Sequence, residues 1–338
     1  MALDIDYNDS FYYQYMDDYE NAVVFSETRS TIHLFYPVCW ILILCIGIPG
    51  NCFLLWVLLR ERAWRTASDI LLLQLPISNL CFTVRLPFEA YLSLHHGGSV
   101  GNWGCVVMTV AFFLGLNSCV LILTTMTLYR YAAVVHGSYL SAQSPKKSSV
   151  VMSCMIWLGC AAINIRTIVS RMVREDRFGD FFCLHAPPSH SMLLYYDIVQ
   201  IVSFFIIPFI VISCCYIHMW ITQCRTNRQH QSSGLISGMI VIIFICLAPY
   251  NIRKFTVVLM MFGVLKIADE WREELHHAEL IVFTLLFLHC CLNPLFYIFG
   301  AQRFRKHLRM PYNTSSQRGD RGQNLSSMAV IPPHDTSV

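Results

Sequence analysis

LFYPVCWILILCIGIPGNCFLLWVLLR, residues 34–60, holds no charged side chain until its last residue, Arg60. The hydrocarbon core of a bilayer is about 30 Å thick, so a spanning helix needs roughly 20 mainly apolar residues. This run is long enough. Six more follow, near 68–94, 104–136, 148–170, 193–222, 235–262 and 277–300. No backbone group can stay unpaired against lipid, so each run is predicted to be a helix. Strands of a membrane barrel would be about ten residues long and alternating, and these runs are neither. The expected fold is an all-α membrane protein, a bundle of seven transmembrane helices.

Composition agrees. The chain has 338 residues, 55% hydrophobic and only 13% charged, with a net charge of +3. Soluble globular proteins carry about 25% charged residues. Length alone would allow about two soluble domains, but this composition excludes a disordered chain and points away from a soluble enzyme. Of fifteen cysteines, most lie inside apolar runs and behave as small hydrophobes. Only Cys105 and Cys183 fall at or beyond the outer edge of a run.

No signal peptide is visible, because the first apolar run is already span-length. Lys and Arg near the spans set the orientation. With the N-terminus outside, the inner segments hold Arg60, Arg62, Arg65, Lys146, Lys147, Arg225, Arg228, Arg303, Arg305, Lys306 and Arg309. Arg171, Arg174, Arg177 and Lys266 fall outside, so the bias is moderate. The expected organisation is an outer acidic, tyrosine-rich arm over 1–33, a membrane domain over 34–300, a short amphipathic helix over 301–309 and a disordered inner tail over 310–338. Phe299, Phe304 and Leu308 recur at helical spacing among cations, which suits a helix on an anionic leaflet.

Several residues stand out within this frame. Cys105 opens the third span, and Cys183 lies in the loop between spans four and five, on the oxidising side. A disulfide between them is chemically allowed; the alternative is two free thiols. Arg130 follows Cys105 by 25 residues, about 37 Å of helix. It therefore reaches the opposite membrane face, to snorkel to headgroups or to line an inner crevice. In span seven, Asn293-Pro294-Leu295-Phe296-Tyr297 joins a kinking proline to an amide able to satisfy freed backbone groups. Pro208 and Pro249 mark two further kinks.

Gly50-Asn51, Trp157, Pro208, Pro249-Tyr250 and NPLFY, in that order, resemble rhodopsin-type G-protein-coupled receptors. His289-Cys290-Cys291-Leu292-Asn293-Pro294, Leu86-Pro87-Phe88 and the FGAQRFRKHL after span seven resemble the chemokine-receptor subfamily. Thr125-Met126-Thr127 is similar to the lymphotactin-type branch. The resemblance covers about residues 34–309.

It implies a small basic protein, a chemokine, as ligand. The arm holds Asp4, Asp6, Asp9, Asp17, Asp18, Glu20 and Glu27 against one arginine, Arg29. Such a segment attracts a basic partner and raises its on-rate; the plain alternative is a solvated acidic tail. Tyr7 and Tyr19, each flanked by acids, are candidate sulfation sites, and Asn8-Asp9-Ser10 is a glycosylation sequon. Many family members bridge the arm to the loop before span seven. No cysteine precedes Cys39 and none lies between Cys246 and Cys290, so that bridge is not expected. Glu89 stands where many relatives have tryptophan, and Phe283 where they often have glutamate, with Glu279 about a turn away. Glu89, Asp197, Tyr250 and Glu279 are the candidate ligand residues in the bundle. A carboxylate facing lipid costs about 2.5–3.5 kcal/mol mid-bilayer, so Glu89 should face inward. An internal Arg85–Glu89 pair with no ligand role is the competing reading.

The switch residues depart from the resemblance. The expected Asp-Arg-Tyr is Tyr129-Arg130-Tyr131. The sodium-binding aspartate of span two is Asn79, its serine partner is Cys119, and the tryptophan before Pro249 is Leu247. Arg130, Asn293, Pro294 and Tyr297 remain. Two readings stay open: a chemokine receptor signalling to an inhibitory-class heterotrimeric G protein and arrestin, or an atypical receptor that internalises chemokine with little or no such coupling. Thr314, Ser315, Ser316, Ser326, Ser327, Thr336 and Ser337 are candidate phosphorylation sites for arrestin. No cysteine follows Cys291, so a palmitoylated tail is not expected. There is no HExxH, and the aspartates near spans, Asp69 and Asp197, belong to opposite faces, so an intramembrane enzyme is disfavoured. No internal repeat points to a transporter. Nothing calls for a cofactor, metal or nucleic acid. The bilayer is a required partner, and a second copy of the chain stays open as another.

Overall fold

The computed structural model describes residues 32–60, 67–94, 101–135, 146–169, 171–175, 181–185, 190–226, 233–265 and 272–300. The arm residues Tyr7, Asn8, Asp17, Asp18, Tyr19 and Glu20, the segment 301–309 and the tail lie outside the described residues. So do the side chains of Cys183 and Tyr297, whose backbones are described.

The helices are α1 (Ile32–Arg60), α2 (Ala67–Thr83), α3 (Arg85–Leu94), α4 (Gly101–Val135), α5 (Lys146–Val169), α6 (His190–Ile201), α7 (Ile207–Thr226), α8 (Ser233–Met261) and α9 (Arg272–Gly300). Among the described residues seven segments are long and apolar enough to cross a membrane: Phe35–Arg60, Asp69–Tyr91, Trp103–Val135, Ser148–Ile165, Leu194–Arg225, Ile240–Met261 and His277–Leu295. These are the seven spans that the sequence predicts. α2 with α3 forms the second span, and α6 with α7 the fifth.

Proline explains both divisions. Pro87 has no N–H, and its ring meets the carbonyl four residues back, that of Thr83. α2 ends at Thr83, Val84 turns with its N–H on the Cys81 carbonyl at 3.3 Å, and α3 restarts at Arg85. Pro208 looks back on Phe204 in the same way. Val202–Ile206 form a π turn there, and the Ile207 N–H reaches the Val202 carbonyl. The expected kink in span five is thus a widened turn, a form common at functional sites.

A feature absent from the sequence reading is an antiparallel hairpin. β1 (Arg171–Glu175) pairs with β2 (Phe181–His185), with Val173 opposite Cys183. Both strands contact α4. At the far end of α8, Gly263 closes the helix in the left-handed region at φ 69°. The Gly263 N–H bonds Met260 O at 2.9 Å and the Val264 N–H bonds Leu259 O at 3.0 Å, the glycine-terminated cap of a helix C-terminus.

α4 is the central and most buried span, while Leu158, Trp220 and Ile245 on other spans turn large side chains outward. Outward apolar side chains are what a lipid solvent demands. α4 meets α2 closely at Gly115, where any Cβ would lie 2.5 Å from the Phe82 backbone nitrogen and 2.7 Å from the Ser78 carbonyl oxygen. Beside it the core is aromatic. The Phe82 ring centre lies 5.2 Å from Phe112 and 4.7 Å from Phe287.

Candidate functional site: a charged mouth above a buried amide cluster

At the Cys105 end of the bundle, three carboxylates and three cations meet. Glu89 and Arg85 pair at 2.5 Å along one face of α3. Asp197 of α6 accepts from Lys254 of α8 at 2.8 Å. Glu279 of α9 pairs with Arg253 of α8. The three acids singled out from sequence therefore each hold a base, and for Glu89 the internal pair is the arrangement present. Arg253 and Lys254 were missed by the sequence reading. Their signal was available: ionisable residues inside a span mark a site and a partner.

Aromatic rings underlie these charges. The Arg85 guanidinium lies over Phe112 at 4.5 Å and Phe283 at 5.4 Å. Lys254 lies over Phe113 at 5.7 Å and Tyr250 at 5.6 Å. Ring faces carry negative potential, so they hold cations in addition to the carboxylates. Tyr250 in turn meets Phe112 and Phe283 at 5.9 and 6.0 Å. Glu89, Asp197 and Tyr250 thus belong to one connected surface. Phe283 is part of its floor.

Mid-bundle, four helices converge on buried polar groups. The Asn79 amide donates to Asn51 Oδ1 at 3.0 Å, and Asn293 donates to Asn79 Oδ1 at 3.3 Å. The Cys119 thiol reaches the same oxygen at 3.6 Å. Asn51 also donates to the Gly47 and Cys290 carbonyls at 2.8 and 2.9 Å. Asn293 Oδ1 is buried and has no hydrogen-bond partner among the described residues. The cluster carries no formal charge. A second buried amide pair, also missed from sequence, joins α4 to α6: Gln200 Nε2 donates to Asn117 Oδ1 at 2.7 Å, beside the π turn.

At the Arg130 end, Tyr129 packs against the core and Arg130 is half-buried with interactions of its own. The Tyr131 hydroxyl lies 2.8 Å from His218 Nδ1, which joins α4 to α7. Leu247 is buried in the core, two residues before Pro249, which lies inside α8. Trp157 donates to Gln74 at 3.2 Å, tying α5 to α2. Cys105 is buried and disulfide-bonded; β2, which carries Cys183, lies against the same helix. Among the described residues no group of three His, Cys, Asp or Glu could hold a metal ion.

Comparison with known proteins places this geometry. The family model of the seven-transmembrane receptors of the rhodopsin family matches residues 50–297. The chain is 28% identical to the chemokine XC receptor 1 of Homo sapiens, over 80% of this chain and 79% of the relative. It is 28% identical to the CX3C chemokine receptor 1 of Rattus norvegicus, over 92% of each. It is 27% identical to the atypical chemokine receptor 2 of Mus musculus, over 88% of this chain and 79% of the relative. The matched segment runs from the Gly50–Asn51 dock to Tyr297 and takes in the mouth, the amide cluster and the Arg130 end, so the chain belongs to the rhodopsin family of seven-transmembrane receptors, a family of receptors and not of enzymes.

Proposed function

We propose that the protein is a chemokine receptor of the plasma membrane, with residues 1–33 and the Cys105 end outside and the Arg130 end and tail inside. The observation that carries this reading is the aromatic stack that links the charged mouth to the bundle core, where the buried amide cluster lies. Charged groups stand on Phe112, Tyr250 and Phe283; Phe112 meets Phe82 and Phe287; Asn79 and Asn293 join one residue before Pro294. A ligand that moves the mouth moves rings packed into the bundle core, and a receptor needs two states bound unequally. The named relatives support chemokine as the ligand class.

On this reading the acidic arm collects the ligand. Asp17, Asp18 and Glu20, with Tyr7 and Tyr19 as sulfation sites, provide attraction for a basic protein. Asn8 carries a glycan, and Cys105 pairs with Cys183 to tether the hairpin over α4. Inside, Arg130 and the basic loops receive an inhibitory-class G protein, and the phosphorylated tail receives arrestin. A second reading has specific support: Tyr129, Asn79, Cys119 and Leu247 replace four switch groups, which favours an atypical receptor that takes up chemokine without G-protein coupling.

The test of the ligand reading is binding of a labelled chemokine panel to cells displaying the wild type and the triple variant Asp17→Asn, Asp18→Asn, Glu20→Gln. At least one basic chemokine should bind. The variant should weaken it about tenfold and flatten its salt dependence. No binding across the panel removes the chemokine reading, and unchanged binding removes the role of the arm.

A further inference from the structure

α5 begins on Lys146-Lys147-Ser148-Ser149, directly after Pro145, which has no N–H. The N–H groups of this first turn have no carbonyl four residues back inside the helix, and they form the positive end of its dipole. A carboxylate is the favoured residue at such an end. No acid lies in the turn, and two lysines add to its positive charge.

Ser149 marks where the missing anion belongs. It is fully buried, and its Oγ has no hydrogen-bond partner among the described residues. A hydroxyl inside a helix usually returns to a carbonyl three or four residues back. Thr109 and Thr124 do so on α4, whereas Ser149 does not. Ser149 extends the buried stripe of Ser153, Ile156, Cys160 and Asn164, on a helix that packs against α4 and α2. The Cα–Cβ bond of a helical residue tilts toward the N-terminus, so this hydroxyl leans over the open first turn. The apolar span starts at Ser148. The turn therefore straddles the edge of the hydrocarbon, at the level of the lipid phosphates.

We propose that the first turn of α5 is a seat for the phosphomonoester headgroup of an anionic lipid, in the leaflet at the Arg130 end. Phosphate oxygens accept from the first-turn N–H groups, as helix N-termini bind phosphate. A further oxygen accepts from Ser149 Oγ. Lys146 and Lys147 bring two positive charges to the same turn. A phosphomonoester carries a charge of about −1.5 to −2 and matches them. A phosphodiester carries one charge and has fewer free oxygens. Seated there, the headgroup closes the turn as a capping side chain would. The proposal needs the seven spans, and neither their inside–outside direction nor a chemokine.

The test uses the purified full chain in nanodiscs of phosphatidylcholine alone, with phosphatidic acid, or with phosphatidylserine at matched surface charge. Hydrogen exchange is read over residues 146–150. Phosphatidic acid should slow exchange there about tenfold, and phosphatidylserine should do so far less. Ser149→Ala should raise the phosphatidic acid content needed for half of this protection about tenfold. It should leave melting in phosphatidylcholine unchanged, because the hydroxyl it removes has no partner there. Lys146→Gln with Lys147→Gln should raise that content about ten- to thirtyfold. No protection of the wild type, or a Ser149→Ala variant that melts lower and keeps full protection, overturns the seat. Equal protection by phosphatidylserine overturns the preference for a phosphomonoester. Full protection by inorganic phosphate in phosphatidylcholine discs, with nothing added by phosphatidic acid, overturns the lipid as its source.

Discussion

Asn51 donates its side-chain amide to the carbonyl oxygen of Cys290 across 2.9 Å, from α1 to α9. That carbonyl is the one Pro294, four residues on, cannot serve, because proline has no N–H. The proline in α9 frees an acceptor, and the neighbouring helix satisfies it. Gly50 makes the approach possible: a Cβ there would lie 2.9 Å from the Pro294 ring. Asn51→Leu strands both the Cys290 carbonyl and the Asn79 amide. It should cost about 2 kcal/mol and lower the melting temperature in detergent. A variant that melts with the wild type would show that water serves these groups instead.

Gly115 predicts a sharper steric effect. Gly115→Ala drives a methyl into the backbone of α2, which cannot move aside as a side chain would. A loss of about 1–3 kcal/mol is expected. Gly159→Ala is the control, since nothing lies within 4 Å of its Cβ position. Thermal unfolding of the two variants should separate them clearly.

The neutral amide cluster predicts indifference to sodium. Its polar groups already satisfy one another, apart from Asn293 Oδ1, and among the described residues no carboxylate joins them to offset the charge of an ion. Melting of the wild type should be the same in sodium chloride as in choline chloride. Asn79→Asp should create sodium-dependent stabilisation, because the buried carboxylate then needs a cation. Stabilisation of the wild type by sodium alone would contradict the neutral-cluster account.

Asn117 and Gln200 exchange hydrogen bonds within the bundle. Asn117→Leu or Gln200→Leu alone leaves a buried amide unpaired, and each should cost about 1–3 kcal/mol. The double variant removes both amides and should cost less than the sum of the two. Additive losses in a double-mutant cycle would mean that the pair is not coupled.

Much of the fold was legible because lipid imposes it. A run such as 34–60 admits few other readings, and all seven spans lie where such runs do. The division of span two was implicit in Pro87, whose ring acts on Thr83 at a fixed distance along the chain. The π turn before Pro208 was not, since proline can kink a helix in several ways. The hairpin was illegible for another reason: RMVRE and FFCLH are short, and their charges and rings do not alternate cleanly. At the mouth, the acids and Arg85 were visible, and Lys254 and Arg253 were not. Arg85 lies four residues from Glu89, within reach of a sequence rule. Lys254 meets Asp197 across 57 residues, and only the rotation of α8 against α6 decides that.

The orientation reading predicts that an epitope tag at residue 1 is accessible on intact cells and one at residue 338 only after permeabilisation. Accessibility of both from the same side would overturn the assignment of mouth and transducing end.

The central claim is that ligand taken at the Cys105 end is relayed to a G protein at the Arg130 end. The most direct measurement is G-protein dissociation and labelled-chemokine uptake, recorded together in cells bearing the wild type or Tyr129→Asp with Leu247→Trp. The account predicts chemokine-driven dissociation of an inhibitory-class G protein by the wild type. Uptake without dissociation in the wild type, with dissociation appearing only in the double variant, would contradict it and establish the scavenging reading instead.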